Sequence, residues 1–150
     1  MRYSTNFITA LTAGACVVTM AVSTNTVHAE GIPTDLACDF TSGTATTYDG
    51  GTFTTNTPKP LSFKIARVNL DKQTADLIVD QKKAPGKLKI VRAINANHFI
   101  EIVNEGYMNL TTIYDIDKNS GRYPAVHSRH VGILGQPIFA QYTGLCAGDK

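Results

Sequence analysis

Short runs of β-branched and aromatic residues alternate with turn residues along most of the chain after residue 35. In the clearest run, Leu61, Phe63 and Ile65 fall on one face of an extended strand, with polar residues opposite, because strand side chains alternate faces. Gly, Asn, Asp and Pro residues between the runs mark turns. The predicted strand regions are Leu36–Tyr48, Thr52–Thr55, Leu61–Leu70, Ala75–Val79, Leu88–Ile94, His98–Val103, Tyr107–Ile116, Pro124–Val131 and Pro137–Thr143.

These regions give about eight strands, and no segment keeps the 3.6-residue apolar period of a helix. Regularly spaced short strands favour an antiparallel meander that closes into a barrel or folds into a sandwich. Closure would also remove the unpaired edges of an open sheet. We therefore predict an all-β fold, a single small antiparallel barrel or sandwich, and leave these two architectures open.

The first 29 residues have a different pattern. Arg2 precedes an uncharged, mostly apolar run over 7–22, and Val27 and Ala29 place small residues at a cleavage site. This layout is typical of a secretory signal removed after Ala29. The run is short for a transmembrane helix. We expect residues 1–29 to be a signal peptide and 30–150 to be one β domain. The expected address is periplasmic or secreted, without stable membrane insertion.

This division separates the three cysteines of the chain into one in the expected signal and two in the β domain. The alternative of a lipidated Cys16 rests on a loose lipobox, and we expect Cys16 to leave with the signal. Cys38 and Cys146 remain, and an oxidising compartment favours their pairing as a disulfide. The bond would join the first strand to the end of the last one, so that these strands are neighbours. Zinc binding is disfavoured because neither cysteine has a partner at ligand spacing.

The charges nearly cancel once Arg2 is removed, with 13 Lys/Arg against 12 Asp/Glu. This balance argues against a nucleic-acid partner, which would need a one-sided basic surface. A local basic cluster of Lys82, Lys83, Lys87 and Lys89 surrounds a Pro-Gly turn. We interpret it as a solvated loop.

The densest polar segment lies in the strand at 124–131. His127 and Arg129 share one face of that strand, a pair suited to a carboxylate, a phosphate or an acidic partner residue. The alternative is that Arg129 pairs with Asp115 or Glu101 on a neighbouring strand. His127 and His130 point to opposite faces, so a shared metal is not expected. We predict neither a metal nor a cofactor.

Two further tyrosines complete the candidate binding set. Tyr114 and Tyr123 lie near strand ends in the second half of the chain, where aromatic residues are concentrated. Such rings can pack into the core or form a rim at the mouth of a barrel. With His127 and Arg129 they are the residues for which we predict a binding role.

Ser128, His130 and Asp115 supply the residue types of a hydrolase triad. Ser128 and His130 would lie about 6–7 Å apart along a strand, whereas a nucleophile and its base need contact at about 3 Å. No G-x-S-x-G elbow accompanies the serine. Hydrolysis is therefore a distant third functional class, and we predict a protein that is not an enzyme.

The C-terminal pattern AVHSRH, followed by GQP and QYxGxC, resembles small uncharacterised exported proteins of Gram-negative bacteria. The resemblance covers about the last 50 residues and implies a periplasmic or secreted address. No activity or functional residue comes with it. Two functions remain: a module that binds or inhibits another protein through its loops or the His127 and Arg129 face, and a carrier of an apolar small molecule. We expect a monomer in either case.

Overall fold

The structure is a computed structural model that describes residues 31–104, 106–133 and 136–149. The predicted signal at 1–29, with Cys16, lies outside these residues. No helix occurs in the described ranges. None of the described residues therefore belongs to a helix able to cross a membrane. The ten strands are β1 Leu36–Asp49, β2 Thr52–Asn56, β3 Leu61–Asn69, β4 Thr74–Val79, β5 Lys82–Lys83, β6 Leu88–Arg92, β7 Ala96–Asn104, β8 Tyr107–Tyr114, β9 Tyr123–Ile133 and β10 Gln136–Gly148.

Eight of the strands form a closed antiparallel barrel in the order β1, β3, β4, β6, β7, β8, β9 and β10, with β10 pairing back onto β1. The all-β prediction is confirmed. Of the two architectures left open by the sequence, the protein adopts the barrel. The two remaining strands are short additions, since β2 pairs with β1 and β5 pairs with β4. Closure gives each strand of the ring a partner on both sides.

The seam of the barrel lies between β1 and β10, and the predicted disulfide crosses it. Cys38 and Cys146 are direct partners in the register and are covalently joined. Cys146 lies inside β10, because this strand continues past the predicted end at Thr143. Gly144 does not stop the strand. It lies where β1 and β10 approach closely, and a Cβ atom there would be 2.0 Å from the carbonyl oxygen of Asp39.

We name the two ends of the barrel from β1: the lower end is at Leu36 and the upper end is at Asp49. The lower half has a solid apolar core, and burying each large side chain contributes about 1.5–3 kcal/mol. Aromatic rings, aliphatic side chains and the disulfide fill it, namely Leu36, Phe40, Phe63, Ile65, Leu88, Ile90, Phe99, Ile113, Cys38 and Cys146.

The neighbours of β1 change at a bulge between Phe40 and Ser42. Below the bulge it pairs with β3, and above it with β2. The extra residue also changes which side chains point inward, because a bulge shifts the alternation by one. Gly43 and Ala45 therefore face the interior above the bulge, where a strand without a bulge would have turned Ser42 inward.

The basic cluster is more ordered than the predicted solvated loop. Lys82 and Lys83 form β5, and the Lys83 and Lys87 ammonium groups lie 3.3 and 2.9 Å from an Asp76 carboxylate oxygen. Arg67 also pairs with Asp76, which is fully buried beneath these cations. Burial would raise the pKa of Asp76, but the hydrogen bonds from Lys87, Arg67 and Lys83 outweigh it and lower the pKa from 3.8 to about 2.

Candidate functional site

Polar residues replace apolar ones on the inner face of the barrel above the solid core. They lie in two successive rows that run across neighbouring strands, each member directly opposite the next in the register. The histidine row consists of Phe99, Thr111, His127, Tyr142 and Gly43. The arginine row, one step higher, consists of Glu101, Asn109, Arg129, Ala140 and Ala45.

His127 is the buried centre of the histidine row, with 4% of its surface exposed. The rings of Phe40 and Phe63 pack beneath it, with centroids 5.6 and 5.1 Å away. Its Nε2 accepts a 3.3 Å hydrogen bond from Nε of Arg129. Since an arginine only donates, the imidazole proton resides on Nδ1, which donates to Oγ1 of Thr111 at 2.8 Å. These two hydrogen bonds together determine the tautomer of His127.

The charge state of His127 follows from the same surroundings. Burial away from water lowers its pKa, and the neighbouring positive charge of Arg129 lowers it further, from 6.5 to about 4. The imidazole is therefore neutral at neutral pH and acts as an acceptor for Arg129. A protonated His127 could not accept this hydrogen bond.

Arg129 is held in place without a partner carboxylate. Its Nε donates to His127, and its guanidinium carbon lies 5.7 Å from the centroid of the Tyr142 ring, a cation–π contact. No carboxylate in the described part of the chain lies within 4.0 Å of it, so the alternative of an ion pair with Asp115 or Glu101 is not found. Its positive charge is thus oriented but not neutralised by direct contact.

The other end of the arginine row is acidic. Glu101 is buried, and its Oε2 accepts a 2.7 Å hydrogen bond from Nδ2 of Asn109. This bond fixes the amide, because only the NH2 group of Asn109 can donate to a carboxylate. Its Oδ1 is then left buried without a hydrogen-bond donor. A buried acceptor without a partner costs about 1–3 kcal/mol, so the arginine row contains an unsatisfied polar atom that a purely structural core would avoid.

The arginine row forms one polar wall of a cavity of about 580 Å³ in the upper half of the barrel. Glu101, Asn109 and Arg129 all line it. The space exists because Ala45 on β1 and Ala140 on β10 present only methyl groups at this height, whereas the rings of Phe40 and Phe63 fill the interior of the lower half. The rest of the lining is mostly apolar and includes Leu77, Val79, Pro85, Val131 and Ile138, with Tyr107 and Tyr142.

The structure brings together only part of the predicted binding set. His127 and Arg129 lie together on the inner face, as described above. Tyr114 and Tyr123 are at the lower end of the barrel, on the far side of the apolar core from the cavity: Tyr114 is 41% exposed, and Tyr123 packs partly against that core. The cavity tyrosines are instead Tyr107 and Tyr142.

The residue types of a hydrolase triad lie outside the cavity. Ser128 and His130 alternate with His127 and Arg129 along β9, so their side chains point to the outer face of the barrel. Asp115 lies beyond the lower end of β8. In the part of the chain that the structure covers, no group of three or more His, Cys, Asp or Glu side chains is placed to hold a metal ion.

Sequence reasoning missed Asn109 and the cavity itself. The available signal for Asn109 was its inward position at the middle of β8, two residues before Thr111. The signal for the cavity was a pair of alanines on two different strands, and their alignment depends on the bulge in β1. Neither can be recognised before the register of the strands is known.

Comparison of the chain with protein-family models, with curated proteins and with solved structures finds no match. The functional conclusion therefore depends on the chemistry of the cavity.

Proposed function

We propose that this protein is an exported, non-enzymatic binding module that holds one small amphipathic molecule in the upper half of its barrel. The observation that carries the proposal is the cavity of about 580 Å³ with one polar wall formed by the arginine row. Ligand sites typically enclose about 300–1,000 Å³, with apolar walls and a few convergent polar groups. The sequence also favours a carrier of an apolar small molecule, and the arginine row adds a polar contact for that ligand.

Burial of His127 supports a small ligand over a protein partner at this site. His127 lies beneath the arginine row and has almost no exposed surface. A folded partner could reach the loops of the barrel but not this side chain. The His127 and Arg129 face therefore fits a molecule that can enter the barrel.

The address is part of the proposal. A disulfide is consistent with an oxidising compartment. Together with the expected signal at 1–29, it supports a carrier that works in the periplasm or outside the cell. Such a carrier would take up its ligand in an aqueous compartment, which fits a cavity with both apolar and polar walls.

The test uses the neutral fluorescent probe N-phenyl-1-naphthylamine, whose emission rises in apolar sites. We expect saturable binding of one probe per wild-type protein. The variant Ala140→Phe fills the cavity from β10 and should weaken binding by at least tenfold. The matched control is Ala93→Phe, at an exposed position in the lower turn between β6 and β7, and it should bind as the wild type does.

Equal probe binding by wild type and Ala140→Phe would contradict a site in the cavity. Thermal unfolding of both variants shows whether they are folded, so that lost binding is not mistaken for lost structure. Native mass spectrometry of protein isolated from its own envelope adds a second measurement. The expected result is a bound small molecule that is absent from Ala140→Phe.

A protein-binding role has separate support on the outer surface. The strand β2 pairs with β1 on one edge, and its other edge has no partner among the described strands. Phe53 on this strand is 62% exposed. An extended segment of a partner could add to such an edge. A photoreactive side chain at position 54 should then cross-link that partner, and Thr55→Pro should abolish capture, whereas unchanged capture would exclude this edge.

A further inference from the structure

Three polar side chains of the cavity wall are not fully paired within the protein. Arg129 has a positive charge with no carboxylate within 4.0 Å among the described residues. Asn109 has a buried Oδ1 atom without a donor. Glu101 lines the same cavity with a carboxylate that accepts one hydrogen bond from Asn109. The wall thus offers donors at one end and acceptors at the other.

The two ends are separated by a defined distance. Glu101 is on β7 and Arg129 is on β9, with Asn109 on the strand between them. Two strand spacings amount to about 9–10 Å. The formal charges of this row sum to zero, since it contains one arginine and one glutamate, and the neutral His127 beneath it adds no charge. The row therefore has a strong dipole without net charge.

The positions of these groups are fixed before any ligand arrives. Arg129 is oriented by His127 and by the Tyr142 ring, and Asn109 is oriented by Glu101. Preorganised side chains lose little conformational freedom on binding. Such a row discriminates between head groups more sharply than flexible surface charges would.

On the basis of the function proposed above, we propose that the ligand is a zwitterionic amphiphile of the amino-acid type. Its carboxylate binds Arg129, its ammonium group binds the Glu101 carboxylate, and its apolar body packs against Val131 and Ile138. The strands that carry Glu101 and Arg129 lie two spacings apart, about 9–10 Å between backbones, so a short head group can lie along the row between the two side chains. An α-ammonium and carboxylate with one hydrogen bond on each side span roughly 8–9 Å, given hydrogen bonds of about 2.8 Å.

Other head groups match only part of the row. A simple carboxylate would neutralise Arg129 but would lie in the same cavity as the Glu101 carboxylate and leave that carboxylate without a cation. A simple amine would meet Glu101 but leave Arg129 without an anion. A neutral alcohol would desolvate both charges without compensating either, and buried charges without partners are costly.

The experiment compares four compounds with similar apolar tails and different head groups: decanol, decanoate, decylamine and 2-aminodecanoate. Each displaces N-phenyl-1-naphthylamine from the full mature protein at neutral pH, below its critical micelle concentration. We expect 2-aminodecanoate to bind at least tenfold more tightly than each of the other three.

Two variants assign the ends of the head group. Arg129→Gln should remove the advantage of 2-aminodecanoate over decylamine, because the carboxylate site is lost. Glu101→Gln should remove its advantage over decanoate, because the ammonium site is weakened. The control His130→Gln changes an exposed residue on the outer face of β9 and should preserve the whole order. Retained probe binding shows that each variant is folded.

Decanoate, decylamine or decanol binding as tightly as 2-aminodecanoate would overturn the zwitterion, and so would failure of all four to displace the probe. In these cases the proposed function still stands if the probe binds the wild type and binds Ala140→Phe more weakly. If the probe binds equally to Ala140→Phe, the proposed function fails, and the ligand class fails with it.

Discussion

The two halves of the barrel are built from the same strands with the same alternation of inner and outer residues, yet their interiors differ. Below the bulge in β1, Phe40 and Phe63 fill the inner positions and are almost fully buried. Above it, Ala45 and Ala140 occupy comparable positions and leave a cavity. The pattern of inward residues determines the barrel, whereas their size determines whether it encloses space.

The comparison also separates stability from binding. The lower half contains the disulfide and the large apolar core, so it supplies most of the burial that stabilises the fold. The upper half contains buried polar groups whose hydrogen bonds are incomplete, which a stable core would avoid. His127 belongs to both, because aromatic rings support it from below and it supports Arg129 above.

Removal of the disulfide should have the largest effect on the lower half. The double variant Cys38→Ala with Cys146→Ala loses a cross-link over a sequence separation of 108 residues. The chain-entropy model assigns such a loop about 4–5 kcal/mol of unfolding free energy. Urea unfolding, compared with the oxidised wild type, measures this loss. A loss below about 1 kcal/mol would mean that the seam is held by strand pairing alone.

Truncation of a core ring should come next. Phe99→Ala should lower the unfolding free energy by about 3–4 kcal/mol, because it leaves a cavity in a close-packed region. The same kind of change at the upper mouth, Tyr107→Ala, should cost under about 1 kcal/mol, since Tyr107 already borders open space. Denaturant unfolding of both variants tests the contrast, and equal losses would refute the division into two halves.

Acidification should destabilise the boundary between the halves through His127. Its pKa in the folded protein is about 4, below the ordinary 6.5, so the unfolded chain takes up a proton first as the pH falls. The stabilisation is complete above pH 6.5 and is lost between pH 6.5 and pH 4, by about 2–3 kcal/mol. Unfolding free energies across this range measure the slope.

Variants identify the residue behind that slope. His127→Gln should flatten the dependence between pH 6.5 and pH 4, whereas His130→Gln on the outer face should leave it unchanged. The corresponding loss for Asp76 falls at lower pH, between 3.8 and about 2, so the two groups can be separated. An unaltered slope in His127→Gln would assign the effect to another group.

A smaller effect is expected at Gly144, where the seam between β1 and β10 passes the bulge. Gly144→Ala places a Cβ atom against the backbone of Asp39 and Phe40, so β1 and β10 must move apart. Overpacking of this kind costs about 1–3 kcal/mol, and we expect about 2 kcal/mol by thermal unfolding. The control is Gly132→Ala, where no atom would lie within 4 Å of the new Cβ. A stable Gly144→Ala protein would show that the seam can adjust.

The sequence predicts the all-β fold and most of its strands because these signals are local, and it leaves the choice between barrel and sandwich to the structure. Alternation in Leu61–Leu70 corresponds to β3, and the pair of cysteines expected to remain in the β domain predicts the confirmed disulfide. The shared face of His127 and Arg129 also follows from the period of two, and the structure places both inside the barrel.

Features that depend on distant parts of the chain escaped prediction. Asp76 is buried because Arg67, Lys83 and Lys87 gather over it from a neighbouring strand and a later hairpin, which the local pattern of β4 does not show. Tyr114 and Tyr123 belong to the predicted binding set because rings near strand ends can form a rim, but the sequence does not show at which end of the barrel they lie. The cavity depends on a bulge that shifts the inward residues of β1 by one.

The seam between β1 and β10 also determines when the barrel can close. Cys38 is in the first strand of the ring and Cys146 is in the last. Since a chain is synthesised from its N-terminus, β1 is complete long before its partner β10. Until β10 arrives, Cys38 has no intramolecular partner for oxidation among the described residues. Closure of the ring and formation of the disulfide are therefore late events, and their non-local pairing makes folding slow.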